Sequence, residues 1–234
     1  MEPELSGEFF IPGKYPKRIE DEHVERYHFA AQFVHGKHTL DIACGAGYGT
    51  YMLSQAGAAH VDGVDIGDAM IAYAQSHYAA PNITFYNGSI TDFGQEATYD
   101  VVTSFETIEH VEDYSAALKN LYRALRPGGT LIISTPNRPM SWRPVKSLHD
   151  KPRNPFHVRE FNLSEFTDIV RQHGFELKPE NILGQRQFIY IPNRYLRKVY
   201  MMIFNPEDRS SPVVKPLKSG TQPKYIVLVC RKAL

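Results

Sequence analysis

The chain has 234 residues, 42% hydrophobic and 22% charged, enough for one substantial core and average for a folded globular protein, which excludes fibrous and disordered classes. Its formal net charge of zero conceals a division: residues 1–137 carry 8 Lys+Arg against 18 Asp+Glu, and residues 138–234 carry 18 against 8. Two cysteines in no metal-ligand spacing exclude a disulfide framework and make the cytoplasm the expected compartment. The first ten residues hold three glutamates and no basic stretch, so they do not read as a signal peptide. The longest apolar runs, such as YIVLVC, are too short to span a bilayer.

In chain order, EDEHVERYHFAAQFV places Val24, Tyr27, Ala31 and Val34 on one stripe and predicts a leading helix. Apolar segments at 38–43, 60–66 and 83–88 predict strands. Between them, YGTYMLSQAG reads as a helix closed by Gly57 and GDAMIAYAQSHYA as one ended before Pro81. A strand at 99–105, a helix at 113–125 and a strand at 129–136 continue the alternation. Strands apolar on both faces, alternating with helices, predict a parallel sheet between helical layers. Residues 138–162 are rich in proline and arginine and show no period, as suits a substrate loop. Then follow a helix LSEFTDIVRQHG, a strand FELKPENILG, a helix at 192–205 and a terminal strand KYIVLVCRK.

The run LDIACGAGYG follows a strand with the spacing GxGxG. A dinucleotide fingerprint would need its third glycine at position 50, which is Thr50. Asp41 would repel a pyrophosphate yet suits a ligand carrying an ammonium group and a sulfonium. Asp65 ends the second strand 20 residues beyond Gly45, where an acid accepts hydrogen bonds from ribose hydroxyls. A cationic nucleoside is therefore expected in place of NAD.

Together with NGSITDF and RALRPGGTLIISTPN, these segments resemble the successive motifs of the class I S-adenosylmethionine-dependent methyltransferases over about residues 38–137. EHVERYHFA and NPFHVREF are similar to flanking segments of the bacterial small-molecule branch, including sugar and natural-product methyltransferases. The resemblance implies an α/β, Rossmann-like fold: a seven-stranded, mostly parallel sheet with helices on both faces and an antiparallel last strand. It implies one domain over 1–234, with a flap at 1–37, a cofactor core at 38–137, a substrate loop at 138–162 and a C-terminal part at 163–234 carrying the inserted helix. S-adenosylmethionine is the implied cofactor, its methionine part wrapped by Gly45, Gly47 and their neighbours with Asp41 close by. Asp65, with Ile66 beside it, would hold the ribose; Ser89 and Ile90 would meet the adenine edge; Phe105 and Glu106 would line the methyl end. Tyr27 on the flap could reach the methionine carboxylate. Many relatives have Asp where this chain has Ser89, so Thr91 or Asp92 are alternatives for the adenine. Bland readings stand beside these: Gly47 as a helix cap, Asp41 as a turn carboxylate, Tyr27 and Ile90 as core.

For methyl transfer to an alcohol a base is needed, and His110, with Glu109 beside it, and His157 are the candidates. Alternatively His110 bonds backbone and His157 anchors its loop. Glu106, Glu109 and His110 could contribute to an Mg²⁺ site; the ordinary reading is acids at a helix start, and no metal is assigned. Arg138, Arg143, Arg153 and Arg159 either clamp a carboxylate or phosphate or solvate their loop. The expected activity is methylation of a small-molecule acceptor, at oxygen, with an anionic acceptor suiting the basic half. An RNA-directed methyltransferase and a non-catalytic cofactor-binding scaffold are the alternatives. The expected partner is the acceptor alone, without nucleic acid or membrane, and the apolar side of 192–205 either covers the pocket or meets another subunit in a homodimer.

Overall fold

The computed structural model describes residues 10–93, 96–140, 146–204 and 210–234. The first half alternates as expected: α1 (Lys17–Ala30), β1 (His38–Ile42), α2 (Tyr48–Gln55), β2 (His60–Asp65), α3 (Asp68–His77), β3 (Ile83–Asn87), β4 (Tyr99–Phe105), α4 (Tyr114–Ala124) and β5 (Leu125–Pro136). The second half adds α5 (Leu163–Gln172), β6 (Ile182–Ile189), α6 (Arg194–Phe204), β7 (Lys215–Pro216) and β8 (Thr221–Arg231). The sheet order is β3-β2-β1-β4-β5-β8-β6-β7. β1 to β5 are parallel, while β8 runs antiparallel to both β5 and β6.

Alternation along each strand explains why both faces read as apolar. Leu40, Ile42, Val64, Val102, Leu131 and Ile133 pack on one side against Leu118, Leu121, Phe166 and Val170 of α4 and α5. Val61, Val101, Ile132, Val227 and Val229 pack on the other against Tyr27, Ala30 and Leu53 of α1 and α2. A sheet covered on both faces buries its whole width.

Two details depart from the sequence reading. The sheet has eight strands because the two-residue β7 pairs with the outer edge of β6. The strand expected at 175–184 is interrupted: Glu176 bridges Arg231 of β8, Pro179–Asn181 then form a tight 3₁₀ turn, and the continuous ladder begins at Ile182. Pro179 has no N–H to give a ladder, and its fixed φ favours the turn.

Strand order reverses between β1 and β4, so their carboxyl ends frame the crevice where ligands of open α/β sheets bind. Just past those ends lie Ala43 (φ 60°) and Glu106 (φ 52°), non-glycine residues in the left-handed region. Such strain persists only where surrounding structure enforces it, and it concentrates at functional sites. α6 follows the carboxyl end of β6, and Arg197 Nη1 donates to the Pro139 carbonyl at 3.2 Å, which ties α6 to the turn after β5. Its Tyr195, Leu196, Met202 and Ile203 are exposed.

Candidate active site

Asp41, at the end of β1, is 1% exposed and accepts hydrogen bonds from Thr50 Oγ1 (2.7 Å), Thr103 Oγ1 (2.7 Å) and Tyr27 Oη (3.1 Å). It lies beneath the glycine turn, tying β1 to α2, β4 and α1. Burial pushes its carboxyl up to about 6, although the three donors favour its charged form. Tyr27 is likewise buried: its hydroxyl is spent on Asp41 and its ring meets Phe105 edge-on at 5.0 Å.

The turn above is shaped by its glycines, each in a different way. Gly45 has φ 53° and open space where a side chain would project. A Cβ on Gly47 would fall 2.5 Å from Ala74 Cβ, and one on Gly49 1.9 Å from the Tyr27 ring. Gly45 thus leaves a cradle over the backbone, whereas Gly47 and Gly49 allow close packing below. Gly49→Ala is expected to cost about 1–3 kcal/mol of stability through overpacking, read as a lowered denaturant midpoint. A variant as stable as the native chain would show that Tyr27 does not sit against this turn.

Asp65 joins this turn to the next: Oδ2 accepts from Gly45 N at 2.9 Å and Oδ1 from Gly67 N at 2.8 Å. Its carboxylate thus fixes the turns after β1 and β2 to one another at the position where the sequence expects a ribose. Beside it Ile66 is 72% exposed at the sheet's edge, an apolar surface suited to a base. Ser89 turns its hydroxyl inward, 2.8 Å from Thr91 Oγ1, and caps the turn by accepting from Thr91 N. Ile90 is buried in the core, with its carbonyl held by Asn120.

The catalytic candidates come together. Glu109 and His110 lie in a 3₁₀ turn, Ile108–His110, just past β4, and the loop bearing His157 folds over it through Val158 N to Glu109 O at 2.9 Å. The His110 and His157 rings stand 4.9 Å apart at 89°. Each holds Nδ1 against an oxygen: His110 on the Phe156 carbonyl at 2.9 Å, His157 on Glu160 Oε1 at 3.0 Å. With Nδ1–H donating there, the lone pair of each neutral ring sits on Nε2.

Glu109 is fully buried; Oε2 accepts from Thr135 Oγ1 at 2.9 Å, and Oε1, 4.0 Å from His110 Nε2, has no hydrogen-bond partner among the described residues. Burial, and then the neighbouring Glu106 charge, push its carboxyl well above the usual range. The reading of Glu109 as a solvated acid at a helix start is therefore corrected: α4 begins only at Tyr114, and its cap is Asp113. Glu109, His110 and His157 offer ligand atoms within 4.8 Å of one another, a set able to hold a divalent cation. Glu106 turns aside to accept from Ser134 Oγ at 2.7 Å.

Two of the loop arginines are engaged within the protein. Arg138 donates to Glu165 Oε1 at 2.6 Å and to the Glu160 carbonyl at 3.0 Å, and Glu165 also closes the capping box of α5 with Asn162. Arg159 lies over the Tyr114 ring and bonds the Glu112 carbonyl. Arg153 is exposed, and Arg143 lies outside the described residues.

Sequence reasoning missed Arg26. It is 1% exposed on α1, gives Nη1 to Gln185 Oε1 at 2.7 Å, and stacks 4.9 Å from the Tyr225 ring. Among the described residues its Nε and Nη2 have no hydrogen-bond partner, and the charge that most favours its ionised form is Glu106. Glu22, one turn earlier and equally buried, holds Arg186, Lys224 and Tyr225. The i, i+4 spacing of Glu22 and Arg26 was the available signal, masked because charges on a helix are assigned to solvent.

An open cradle over Gly45, an acid at the end of β2 and a buried guanidinium with two nitrogens unbonded among the described residues suit a nucleoside bearing an amino-acid carboxylate. Residues 40–133 match a family described as a methyltransferase domain. A probable S-adenosylmethionine-dependent methyltransferase of Mycolicibacterium smegmatis is 35% identical over 182 residues, covering 77% of this chain and 67% of that one. A ubiquinone biosynthesis O-methyltransferase of Pseudomonas syringae is 39% identical over 107 residues, 44% of this chain; the match spans under half, 46%, of that relative's length. The crystal structure of an S-adenosylmethionine dependent methyltransferase from Mesorhizobium loti superposes with a TM-score of 0.64 at 17% identity, covering 90% of this chain and 100% of that one, which shows the shared fold. With sequence, fold and cleft in agreement, the chain belongs to the S-adenosylmethionine-dependent methyltransferases.

Proposed function

We propose that this enzyme methylates a hydroxyl oxygen of a small molecule, with one imidazole of the His110 and His157 pair taking the hydroxyl proton. The observation that carries this reading is the pair itself: two rings from distant segments, each oriented through Nδ1, at the carboxyl end of β4. S-adenosylmethionine supplies a methyl group made electrophilic by its sulfonium. What remains for the chain is to hold the acceptor in line and remove its proton, worth roughly 10²–10⁴-fold for the base. Burial pushes the Glu109 carboxyl well above its usual range, so the imidazoles are the better placed proton acceptors. The similarity to the Pseudomonas ubiquinone biosynthesis O-methyltransferase supports oxygen as the acceptor atom.

In this reading Gly45, Gly47, Asp65, Ile66, Ser89, Ile90 and Phe105 surround the cofactor, and Arg26 takes the role assigned to Tyr27, pairing with the methionine carboxylate. Asp41 acts from below as a field on the cationic ligand. An anionic acceptor is supported by exposed Arg153 and by the positive balance of residues 138–234. The exposed apolar side of α6 supports a homodimer, since patches of this kind mark interaction sites. Two buried, unpaired cysteines support a cytoplasmic home. Among the described residues no helix is long and apolar enough to cross a membrane.

The test is a set of matched acceptors, hydroxylated compounds and their amino counterparts, incubated with methyl-labelled S-adenosylmethionine. Label is expected on the hydroxyl members; label on the amines alone would refute oxygen transfer.

A pH test addresses Asp41. Its folded-state value, about 6, lies above the ordinary 3.8, so the folded chain holds this proton more tightly than the unfolded one. Its contribution to stability is therefore greatest below 3.8 and is lost as pH rises towards about 6. Over the upper part of that window the carboxylate charge appears, and affinity for cationic S-adenosylmethionine is expected to rise relative to S-adenosylhomocysteine, which lacks the sulfonium. Calorimetry should show that rise in the native protein and its absence in Asp41→Asn; a flat ratio in both would remove Asp41 from the electrostatics of the site.

A further inference from the structure

At the opposite edge of the sheet from the glycine turn, the register places three metal-ligating side chains together. His38 opens β1 and His60 opens β2, and the two are direct partners in the parallel ladder. Side chains alternate along a strand, so Asp62 shares a face with His60 and hence with His38. The geometry follows: His60 Nε2 lies 3.1 Å from Asp62 Oδ1, and His38 Nε2 lies 3.4 Å from Asp62 Oδ2. One ligand atom from each residue fits within a 4.8 Å span.

We propose that His38, His60 and Asp62 bind a divalent transition-metal ion, of which Zn²⁺ is the fitting example, at a site separate from the catalytic cleft. Two imidazoles and one carboxylate are borderline-soft donors that suit zinc, whereas Mg²⁺ and Ca²⁺ favour all-oxygen sets. Zinc bonds of about 2.0–2.1 Å in tetrahedral geometry separate N and O ligands by roughly 3.3 Å. The two observed separations bracket that value, and 3.4 Å is long for a direct hydrogen bond.

The surroundings are those of a supported site. Asp62 is 7% exposed, and Tyr99 Oη donates to its Oδ2 at 2.9 Å, fixing the carboxylate as outer-shell partners of metal ligands do. Thr84, the ladder partner of Asp62 on β3, puts Oγ1 3.1 Å from His60 Nε2, next to the position where a fourth ligand or water would complete a tetrahedron. The imidazoles are partly exposed, with side-chain accessibilities of 28% and 36%, so an ion can enter from solvent. All three ligands stand on strands, which hold geometry more tightly than loops. Four residues of β1, about 13 Å of strand, separate His38 from the end of β1 under the cofactor. An ion here would clip β1 to β2 where both enter the sheet, a structural role independent of methyl transfer.

The test is titration of the 234-residue chain with Zn²⁺ alone, followed by calorimetry, and with Co²⁺, whose visible absorption reports tetrahedral N/O coordination. One equivalent is expected to bind to a His110→Gln/His157→Gln variant, which lacks the other histidine cluster, and the same event is expected in the native chain, with a raised melting temperature in both. That binding should vanish in His60→Gln and in His38→Gln, and weaken by about 10–100-fold in Tyr99→Phe, which keeps every ligand. His38→Gln guards against misfolding, since its side chain is partly exposed. Binding unchanged in His60→Gln and His38→Gln, binding lost only when His110 and His157 are replaced, or no binding at all would overturn the proposal.

Discussion

Replacing Arg26 with methionine raises the dissociation constant for S-adenosylhomocysteine by roughly 30- to 5,000-fold, the equivalent of about 2–5 kcal/mol for truncating a buried, hydrogen-bonded charge pair. The expectation rests on burial and satisfaction together. A guanidinium 1% exposed with two unpartnered nitrogens is costly unless something bound supplies acceptors. The product nucleoside keeps the amino-acid carboxylate and loses the sulfonium, so calorimetry with it isolates the carboxylate contact from the field of Asp41. Methionine matches the length of the side chain but leaves buried Gln185 and the nearby carboxylates without the guanidinium, so the melting temperature is measured alongside and the affinity is read below it, on folded protein. Lysine should recover only part of the affinity, because it lacks the planar fork. Native-like affinity in Arg26→Met would show that the carboxylate is bound elsewhere.

The second large effect concerns turnover. His110→Gln combined with His157→Gln is expected to slow methyl transfer to an alcohol by about 10²–10⁴-fold while leaving nucleoside affinity near its native value. A purely structural role for the two rings would lower binding and stability as well as rate. The discriminating readout is the acceptor's own acidity: a phenol, which ionises more easily, should lose much less rate than an aliphatic alcohol when the base is removed. Equal losses on both acceptors would assign the pair to positioning and not to proton transfer. Single substitutions report which ring is nearer the hydroxyl, and the two effects are not expected to add, since the rings act on one proton.

How much of this was legible in the sequence can be judged element by element. The strands at β1, β2, β3 and β4 and the helices between them follow from apolar segments, glycine and proline stops, and the alternation of the two periods. These are local signals, carried by neighbours in the chain. The strand expected at 175–184 shows the limit: Glu176 bridges Arg231, yet Pro179 interrupts the pairing until Ile182 meets Leu228. α1 shows another. Its apolar stripe is partly real, since Tyr27 and Val34 are buried, but Glu22 and Arg26 are buried too. A charge enters the interior only with partners, and theirs, Gln185, Arg186, Lys224 and Tyr225, come from the far end of the chain.

What the sequence by itself determined is the doubly wound order, the glycine turn after β1 and the acid at the end of β2, because turn chemistry and strand ends are written in adjacent residues. What only the tertiary structure decided is which side chains share a space: Asp41 lies under the turn and not on it, Tyr27 spends its hydroxyl on Asp41, Arg26 is buried against Gln185 and Tyr225, and His110 meets His157. Those pairings depend on which strands become neighbours after each crossover and on how the loop after β5 folds back over the end of β4. No local period encodes either, since both are set by the packing of the whole sheet.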